Sequence, residues 1–272
     1  MDNLDSPQNI KDLLAKENMA VLKQLGQNFI VQGWVVDKLL ESADINSKDT
    51  ILEIGSGLGI LTEPLAKVAK KVIAIEKDKK IAQLLKDRLA DLKNLEIIHG
   101  DALKIKKQDL PAFDKIVANI PFYITAPLIR KFLEQGWNTP LFLLVQKEVG
   151  QRINSKPPDL NILALSVQFY AQATMICIVP KDCFWPKPRV DAAIIKIEPK
   201  GQIDKTLEKS FFKIVKAGFS SPRKQLLNNL SASLRLPKEE ILPILEKENI
   251  SPKQRAETLT LEQWIRLAIN FH

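Results

Sequence analysis

The stretch ILEIGSGLGIL, from Ile51 to Leu61, decides the fold, because it reads as a buried strand, a glycine-rich turn and a helix in succession. Gly55, Gly57 and Gly59 lack the Cβ atoms that would keep a ligand away from the backbone. A helix beginning at about Leu58 would point free N–H groups at a polar or negatively charged group above the turn. The stretch therefore predicts a turn that binds a nucleotide.

The spacing of these glycines argues against NAD as that nucleotide. The dinucleotide fingerprint has its third glycine five residues after the first, and this chain has Ile60 there. The turn resembles the G-x-G-x-G element of S-adenosylmethionine-dependent methyltransferases, which packs against methionine and ribose. An isolated match would equally fit a tight turn with a purely structural role, so the residues that follow must distinguish the two.

Composition limits the class of protein. The 272 residues are 45% hydrophobic, enough for one sizeable core and a smaller second one. The net charge of +8 and a pI near 9.3 favour a polyanionic partner, although a solvated basic surface has the same composition. Two cysteines and two histidines make neither a disulfide framework nor a metal cluster, and no apolar run resembles a signal or membrane segment. We expect a cytoplasmic protein without a metal ion and without a membrane partner.

Strands and helices alternate after Thr50, which is typical of parallel strands joined by right-handed crossovers and covered by helices on both faces. The predicted strands are Ile51 to Ile54, Val72 to Ile75, Leu95 to Ile98 and Lys115 to Ala118, with helices at Ile60 to Ala69 and Ile81 to Leu92. A ligand of such a sheet binds at the carboxyl ends of the strands. The residues just after each strand are therefore the candidates for the site.

The N-terminal region supplies a further candidate segment. Ile10 to Leu25 has apolar residues at helical spacing and predicts an amphipathic helix over the core. In LGQNFIV, Leu25 to Val31, the pair Gln27 and Asn28 is typical of a turn before the helix that contains Trp34. The same pair could instead lie over the glycine turn and hold the carboxylate end of a ligand.

Two acids follow predicted strands. Glu76 ends the second strand, 21 residues after Gly55, where a carboxylate can accept both ribose hydroxyls; a solvated strand end is the alternative. Asp101 follows the third strand, where it can accept the exocyclic amine of an adenine. His99 is expected to be a packed or exposed strand end, because no nucleophile and no second histidine lie beside it.

The fourth strand delivers Asn119, Ile120, Pro121 and Phe122 to the same edge. Adenine N6 is a poor nucleophile, because its lone pair is delocalised into the ring. Two acceptors, the Asn119 side-chain oxygen and the Ile120 carbonyl, would bind the amine hydrogens and favour a tetrahedral nitrogen. Pro121 would stiffen the turn and Phe122 would stack on an extruded base. The alternative is an ordinary loop entering the helix predicted from Thr125 to Leu133.

These motifs occur together and in order: LGQNF, EIGSGLG, the acid Glu76, the pair GD at 100 and 101, and NIPF. In that combination the chain resembles the ribosomal RNA adenine dimethyltransferases. The resemblance continues through QKEVGQR at 146–152, VPKDCFWPKPRVDAAI at 179–194, FSSPRKQLLNNL at 219–230 and RAETLTLEQWIRLA at 255–268. It covers the chain from about residue 11 onward, and the last two segments are similar to the small-subunit (16S) enzymes.

The resemblance implies a Rossmann-like class I methyltransferase fold, that is, an α/β sheet, mostly parallel with an antiparallel edge pair, followed by a small all-α domain. It implies S-adenosyl-L-methionine as cofactor and N6,N6-dimethylation of two adjacent adenosines near the 3′ end of small-subunit rRNA during ribosome biogenesis. By matching position it places cofactor-binding residues at Asn28, Ile30, Gly55, Glu76, Asp101 and Asn119, with Asn119 and Phe122 facing the target adenine.

Two departures from the family pattern stand out. Phe122 replaces the usual tyrosine, which keeps a stacking face but removes a hydroxyl, so we expect activity to survive. The loop SKPPDLN, Ser155 to Asn161, lacks the Tyr-Gly that commonly follows its basic part. This second departure affects contact with RNA and leaves the chemistry in place.

The C-terminal part predicts a second domain, 201–272, after a methyltransferase domain at 1–200. Thr174 to Val179 and Ala192 to Ile197 read as an antiparallel strand pair at the sheet edge. Between them lie Trp185 and Arg189, either an RNA-facing pair or, for Trp185, a loop anchor.

Residues 201–272 carry apolar side chains at helical spacing and indicate a small helical domain. Between Lys200 and Arg235 there are eight basic residues against two acidic ones. Such a bias usually marks a solvated face; beside a base-modifying domain we interpret it as a phosphate-contacting surface centred on Arg223 and Lys224.

Three other functions remain open at this point. A non-catalytic rRNA-binding assembly factor could keep the same fold, but the intact Glu76, Asp101 and N-x-P-F argue against complete loss of catalysis. A large-subunit (23S) methyltransferase shares the core but generally not this tail. A DNA adenine methyltransferase would need a DNA-reading domain of its own. We expect a monomer that binds the pre-small ribosomal subunit.

Overall fold

The computed structural model describes residues 4–21 and 26–271, which group into two compact units. The first comprises the described residues up to 150 together with 173–199, and the second comprises 151–172 and 200–271. Residues 151–172 thus group with the helical unit, whereas the sequence assigned them to the sheet domain. The domain boundary near residue 200 stays a prediction.

A seven-stranded sheet forms the first unit, in the order β4-β3-β2-β5-β6-β9-β7. Strands β2 to β6 are parallel where they pair, and β9 is antiparallel to β6. A separate two-stranded ribbon joins β1 to β8. The strand bounds are β1 Phe29–Ile30, β2 Thr50–Ile54, β3 Lys71–Glu76, β4 Leu95–His99, β5 Lys115–Asn119, β6 Leu141–Gln146, β7 Ala171–Val179, β8 Phe184–Trp185 and β9 Ala192–Pro199.

This arrangement confirms the predicted fold class. All four predicted parallel strands are present, and β9 and β7 are neighbours at one edge of the sheet. Strand β6 was not predicted, although its sequence LFLLVQ is almost entirely buried, as strands covered on both faces are. Because β2, β3, β4 and β5 are parallel, their carboxyl ends lie at one edge of the sheet.

Helices cover the sheet and build the second unit. Their bounds are α1 Pro7–Lys16, α2 Gly33–Ala43, α3 Thr62–Val68, α4 Lys79–Arg88, α5 Thr125–Glu134, α6 Lys147–Ile153, α7 Ile162–Gln168, α8 Lys205–Gly218, α9 Leu226–Leu234, α10 Lys238–Lys247 and α11 Leu261–Asn270. Several begin at side-chain caps: Ser6 accepts the Asn9 N–H before α1, and Asp78 accepts the Lys80 and Ile81 N–H groups before α4. The helix predicted from Thr125 is confirmed as α5.

The N-terminal amphipathic helix is shorter than the sequence predicted. It ends at Lys16, and residues 22–25 of the predicted segment lie outside the described residues. Ile10 and Leu14 are buried in a cluster that includes Leu58 of the glycine turn. Helix α1 therefore packs beside the turn and contributes to its position.

The helix after the glycine turn begins at Thr62, two to four residues later than the predicted start between Leu58 and Ile60. The reason is the turn itself: Gly55, Gly57 and Gly59 all have positive φ, the last at +84°, which ends regular strand and delays regular helix. A Cβ atom on Gly59 would also lie 2.5 Å from Leu85 Cδ1, so α4 packs directly on the turn. The predicted helix start within the turn is therefore wrong, and Gly55, Ser56, Gly57 and Leu58 line the cleft as turn residues.

The second unit is helical and has its own core. Phe169 stacks on Phe211 with ring centroids 4.0 Å apart, and Trp264 is fully buried. The buried Asn229 side chain donates to the carbonyls of Gly218 and Ser221, which closes the turn between α8 and α9. Apolar residues at helical spacing thus form the predicted helical core.

Candidate active site

The carboxyl ends of β2, β3, β4 and β5 surround one cleft of about 960 Å³, including the part that is open to solvent. Every residue that the sequence predicted for cofactor or catalysis lines this cleft: Asn28, Ile30, Gly55, Glu76, Asp101, Asn119, Ile120, Pro121 and Phe122. The prediction that these residues share one site is therefore consistent with the geometry. Their individual roles stay predictions.

Glu76 is tied to the glycine turn. Its Oε2 accepts the Gly57 N–H at 2.8 Å and its Oε1 accepts the Asp78 N–H at 2.8 Å. The residue is 7% exposed, so the alternative of a solvated strand end does not hold. Burial raises the pKa of Glu76 above its ordinary value, and the backbone N–H groups that it accepts oppose this rise. The carboxylate is thus fixed in direction before any ligand arrives.

Asp101 lies across from Glu76 and carries a partner that the sequence analysis missed. Its Oδ1 accepts the Leu103 N–H at 3.0 Å, and its Oδ2 is 3.1 Å from the Lys77 ammonium. Burial tends to raise the pKa of Asp101, but the Leu103 N–H and Lys77 together hold it below its ordinary value. A ligand amine that binds Asp101 meets an ionised carboxylate with a cation beside it.

Asn119 is oriented by a hydrogen bond across the cleft. Its Nδ2 donates to the Asn28 carbonyl at 2.9 Å. Among the described residues no donor reaches its Oδ1, so this bond fixes the amide with an oxygen acceptor left over. The Asn28 side chain in turn donates to the Gly26 carbonyl at 3.0 Å. This bond agrees with the turn interpretation of Asn28, and its role toward a ligand stays a prediction.

The Asn28 segment is held by the β1–β8 ribbon. Phe29 pairs with Trp185, and Ile30 pairs with Phe184. Trp185 is partly buried against the cluster around α1, with the Lys11 ammonium 5.8 Å from its ring. Of the two readings of Trp185, the loop anchor is therefore the one that the structure supports.

The N-x-P-F segment leaves β5 and turns tightly into α5. Pro121 has φ −51°, and its carbonyl accepts the Ile124 N–H at 3.0 Å, forming a short 3-10 turn. Ile120 is 1% exposed as a whole residue and lines the cleft. Phe122 is partly buried against the main core cluster, so only part of its ring faces the cleft.

A buried carboxyl group lies under the glycine turn and was also missed. Glu53 is 1% exposed, and its Oε2 has no hydrogen-bond partner among the described residues. Burial raises its pKa to about 8; the Thr62 hydroxyl is near enough to oppose the rise but does not meet hydrogen-bond geometry. Glu53 is therefore largely protonated at neutral pH. The sequence did not indicate this role, because Glu53 lies inside a strand, before the glycines, and not after the end of a strand.

The basic residues proposed for RNA contact lie outside this cleft. Arg189 is exposed in the loop between β8 and β9, and His99 is likewise exposed at the end of β4. In the second unit, Arg223 and Lys224 are exposed in the turn between α8 and α9.

Within residues 4–21 and 26–271, no group of three His, Cys, Asp or Glu side chains is placed to hold a metal ion. In the same ranges, no helix has the length and apolar content needed to cross a bilayer.

Comparison with known proteins agrees with the motifs. A family model described as "Ribosomal RNA adenine dimethylase" matches residues 19–271. The "Ribosomal RNA small subunit methyltransferase A" of Clostridioides difficile (strain 630) is 40% identical over 275 residues, covering 97% of this chain and 95% of that protein.

Solved structures give the same fold. A dimethyladenosine transferase from Plasmodium falciparum has a TM-score of 0.75 at 29% identity, covering 89% of this chain and 97% of that chain. The 23S rRNA methyltransferase ErmE has a TM-score of 0.72 at 22% identity, covering 89% and 98%, and is evidence for the fold alone. With a family model matching nearly its whole length, this chain belongs to the ribosomal RNA adenine dimethylase family.

Proposed function

We propose that this chain transfers methyl groups from S-adenosyl-L-methionine to adenine N6 in small-subunit rRNA, twice on each target base. The observation that carries the proposal is that Glu76, Asp101 and Asn119 line one cleft above a glycine turn. The family supports the reaction, and the 40% identical relative named for the small ribosomal subunit supports the substrate. ErmE, at 22% identity, gives the 23S alternative less support.

The cleft fits the cofactor chemically. A nucleoside with a cationic sulfonium and an amino acid tail needs acceptors for its ribose and amine and a close approach to backbone. Glu76 and Asp101 supply carboxylates, and Gly55 and Gly57, both at positive φ, leave the turn without side chains. When bound, the cofactor supplies a methyl group on a sulfonium, which is reactive enough to need no metal ion.

The chain itself contributes position and electrostatics. Asn119 Oδ1 accepts one hydrogen of the target amine, because its Nδ2 is already committed to the Asn28 carbonyl. The Ile120 carbonyl accepts the other hydrogen, and Pro121 holds both acceptors in place. The exposed part of Phe122 stacks on the extruded base.

We place the rRNA phosphates against exposed basic side chains, Arg223 and Lys224 in the helical unit and Arg189 in the sheet unit. The partner is the pre-small ribosomal subunit, the targets are two adjacent adenosines near the 3′ end of its rRNA, and the chain acts in the cytoplasm as a monomer. These finer statements follow the family resemblance.

The reaction is tested by incubating the purified chain with labelled methyl donor and small ribosomal subunits that lack the modification, with large subunits as the comparison. We expect N6,N6-dimethyladenosine near the 3′ end of the small-subunit rRNA and none in the large subunit. Monomethyladenosine as the end product would refute the second transfer. Tight rRNA binding without measurable cofactor binding by calorimetry would favour the non-catalytic assembly factor.

The RNA surface is tested by the double variant Arg223→Ala with Lys224→Ala. Loss of two phosphate contacts should weaken rRNA binding and lower the slope of log affinity against log salt by about 1 to 2. The matched control is Lys48→Ala with Lys70→Ala, two exposed lysines that precede β2 and β3 at the sheet edge opposite the cleft. An equal change in both double variants would show that only net charge matters.

A further inference from the structure

Tyr123 follows the N-x-P-F tetrapeptide and has no role in the reaction described so far. Its side chain is 51% exposed, whereas most large apolar side chains of the sheet unit are buried. It nevertheless lines the same cleft as Glu76 and Asn119. An aromatic ring with a free face in a ligand cleft is suited to cover a flat or cationic ligand.

One side of the Tyr123 ring is seated against backbone. A Cβ atom built on Gly26 would lie 3.1 Å from Tyr123 Cδ1 and 3.4 Å from Cε1. Gly26 has φ +60°, two residues before Asn28, whose carbonyl orients Asn119. The absence of a side chain at position 26 therefore lets the ring lie close to the segment that fixes the reacting amide.

Tyr123 shares the lining of the cleft with Lys77 and Asp101. Asp101, by its hydrogen bond and its charge, raises the pKa of Lys77, and Tyr123 contributes in the same direction. The Lys77 ammonium itself is 3.1 Å from Asp101 Oδ2. Tyr123, which follows β5, therefore lines the cleft together with residues that follow β3 and β4.

The neighbouring ring has a different environment. Phe122 is partly buried against the core cluster, so part of its surface is used in packing. The exposed half of Tyr123 is not used in this way, and its neighbour Gly26 also lines the cleft. Of the two adjacent rings, Tyr123 is the one with more exposed surface.

We propose that Tyr123 is a cofactor-contact residue whose ring covers bound S-adenosylmethionine between Gly26 and Lys77 and sets its affinity. The inference rests on the proposed function, because it takes a sulfonium nucleoside as the ligand of the cleft. The ring would strengthen cofactor binding by stacking on the adenine or by facing the sulfonium cation. Both interactions need the aromatic face and not the hydroxyl.

Chemical modification tests the contact directly, because the chain has only two tyrosines. Tyr170 is 6% exposed and serves as the internal control, whereas Tyr123 is half exposed. We expect tetranitromethane to nitrate Tyr123 first in the free protein, and saturating S-adenosylhomocysteine to slow that reaction several-fold. Nitration at an unchanged rate in protein that calorimetry shows to be saturated would overturn the inference.

Two variants separate the ring from the hydroxyl. Tyr123→Phe should bind S-adenosylhomocysteine nearly as tightly as the unaltered chain, whereas Tyr123→Leu should lose about tenfold in affinity, as expected for one lost stacking contact. The loss should appear in KM for the methyl donor and not in kcat. Equal losses in the two variants, or none in Tyr123→Leu, would overturn the inference.

The outcomes also separate this inference from the proposed function. If the unaltered chain binds no S-adenosylhomocysteine, the proposed function fails first. If it binds but leaves Tyr123 unprotected, only the inference fails. Protection of Tyr123 by rRNA alone, with none from the cofactor product, would make it a target-base contact and overturn the proposal.

Discussion

The two sides of the cleft are built by different means. On the side of β3 and β4, both oxygens of Glu76 and both of Asp101 already have partners, which are backbone N–H groups and Lys77. On the side of β5, Asn119 uses only its donor, toward the Asn28 carbonyl, and keeps an unused oxygen. A carboxylate with fixed partners can still accept from a ligand through its remaining lone pairs, so this side is suited to holding a ligand in place.

This contrast indicates that the two sides of the cleft have different tasks, ligand binding on the carboxylate side and chemistry on the amide side. The carboxylates of the acidic side are fixed before the ligand arrives. The free-energy cost of ordering them therefore falls on folding and not on ligand binding. The amide side keeps an acceptor for a group whose hydrogens must be bound as its nitrogen becomes tetrahedral. Substitutions on the acidic side should therefore act on cofactor affinity, and substitutions on the amide side on turnover.

The largest effect is expected for Asn119→Ala. It removes the acceptor that we propose for the target amine, so kcat should fall about a hundredfold or more, as after loss of one transition-state hydrogen bond. Single-turnover methylation of small subunits measures this loss, and calorimetry with S-adenosylhomocysteine measures the accompanying change in binding. Near-normal turnover would remove Asn119 from the mechanism and end the division described above.

A smaller effect is expected for Glu76→Gln. The amide has one oxygen where the Gly57 and Asp78 N–H groups require two acceptors, so one of them loses its partner. Cofactor affinity should fall by about 10- to 100-fold, and kcat at saturating donor should change far less. Glu239→Gln, at an exposed residue of α10, is the matched control. A change confined to kcat would contradict the binding role.

The smallest effect is expected for Glu53→Gln, below the glycine turn. Its pKa is about 8 in the folded chain and near 4.5 when unfolded, so the stability it contributes is present below about pH 4.5 and is lost as the pH rises toward 8. Glutamine resembles the protonated form and removes this loss. Thermal unfolding should give a Tm at least about 2 °C above that of the unaltered chain at pH 8, and little difference at pH 5. If the difference in Tm between Glu53→Gln and the unaltered chain is the same at pH 5 and at pH 8, the raised pKa of Glu53 is contradicted.

Much of the sheet and its edge could be predicted from the sequence, because the glycine turn and the alternation of strands and helices determine which residues follow each strand. Glu76, Asp101 and Asn119 were placed in one cleft on that basis, and the structure brings them together. The predicted start of α3, between Leu58 and Ile60, was two to four residues too early, because three positive-φ glycines extend the turn before regular helix begins.

Other features depend on contacts that no local pattern encodes. The Lys77–Asp101 pair and the Asn119–Asn28 bond join residues from different strands or loops, and the burial of Glu53 is a property of the folded sheet. The sequence did not indicate that Tyr123 lines the cleft, because its ring lies against Gly26, a residue nearly a hundred positions earlier. Sequence periodicity identifies the elements and leaves these side-chain partners to be found in the structure.

The β1–β8 ribbon has a practical consequence for dissecting the protein. Every predicted cofactor residue lies before residue 120, so a fragment ending soon after the N-x-P-F segment would seem to contain a complete site. Such a fragment would lack Phe184 and Trp185, the strand partners of Phe29 and Ile30, and with them the support of the Asn28 carbonyl. A fragment that keeps the support of the Asn28 carbonyl must therefore extend at least through β8, to Trp185.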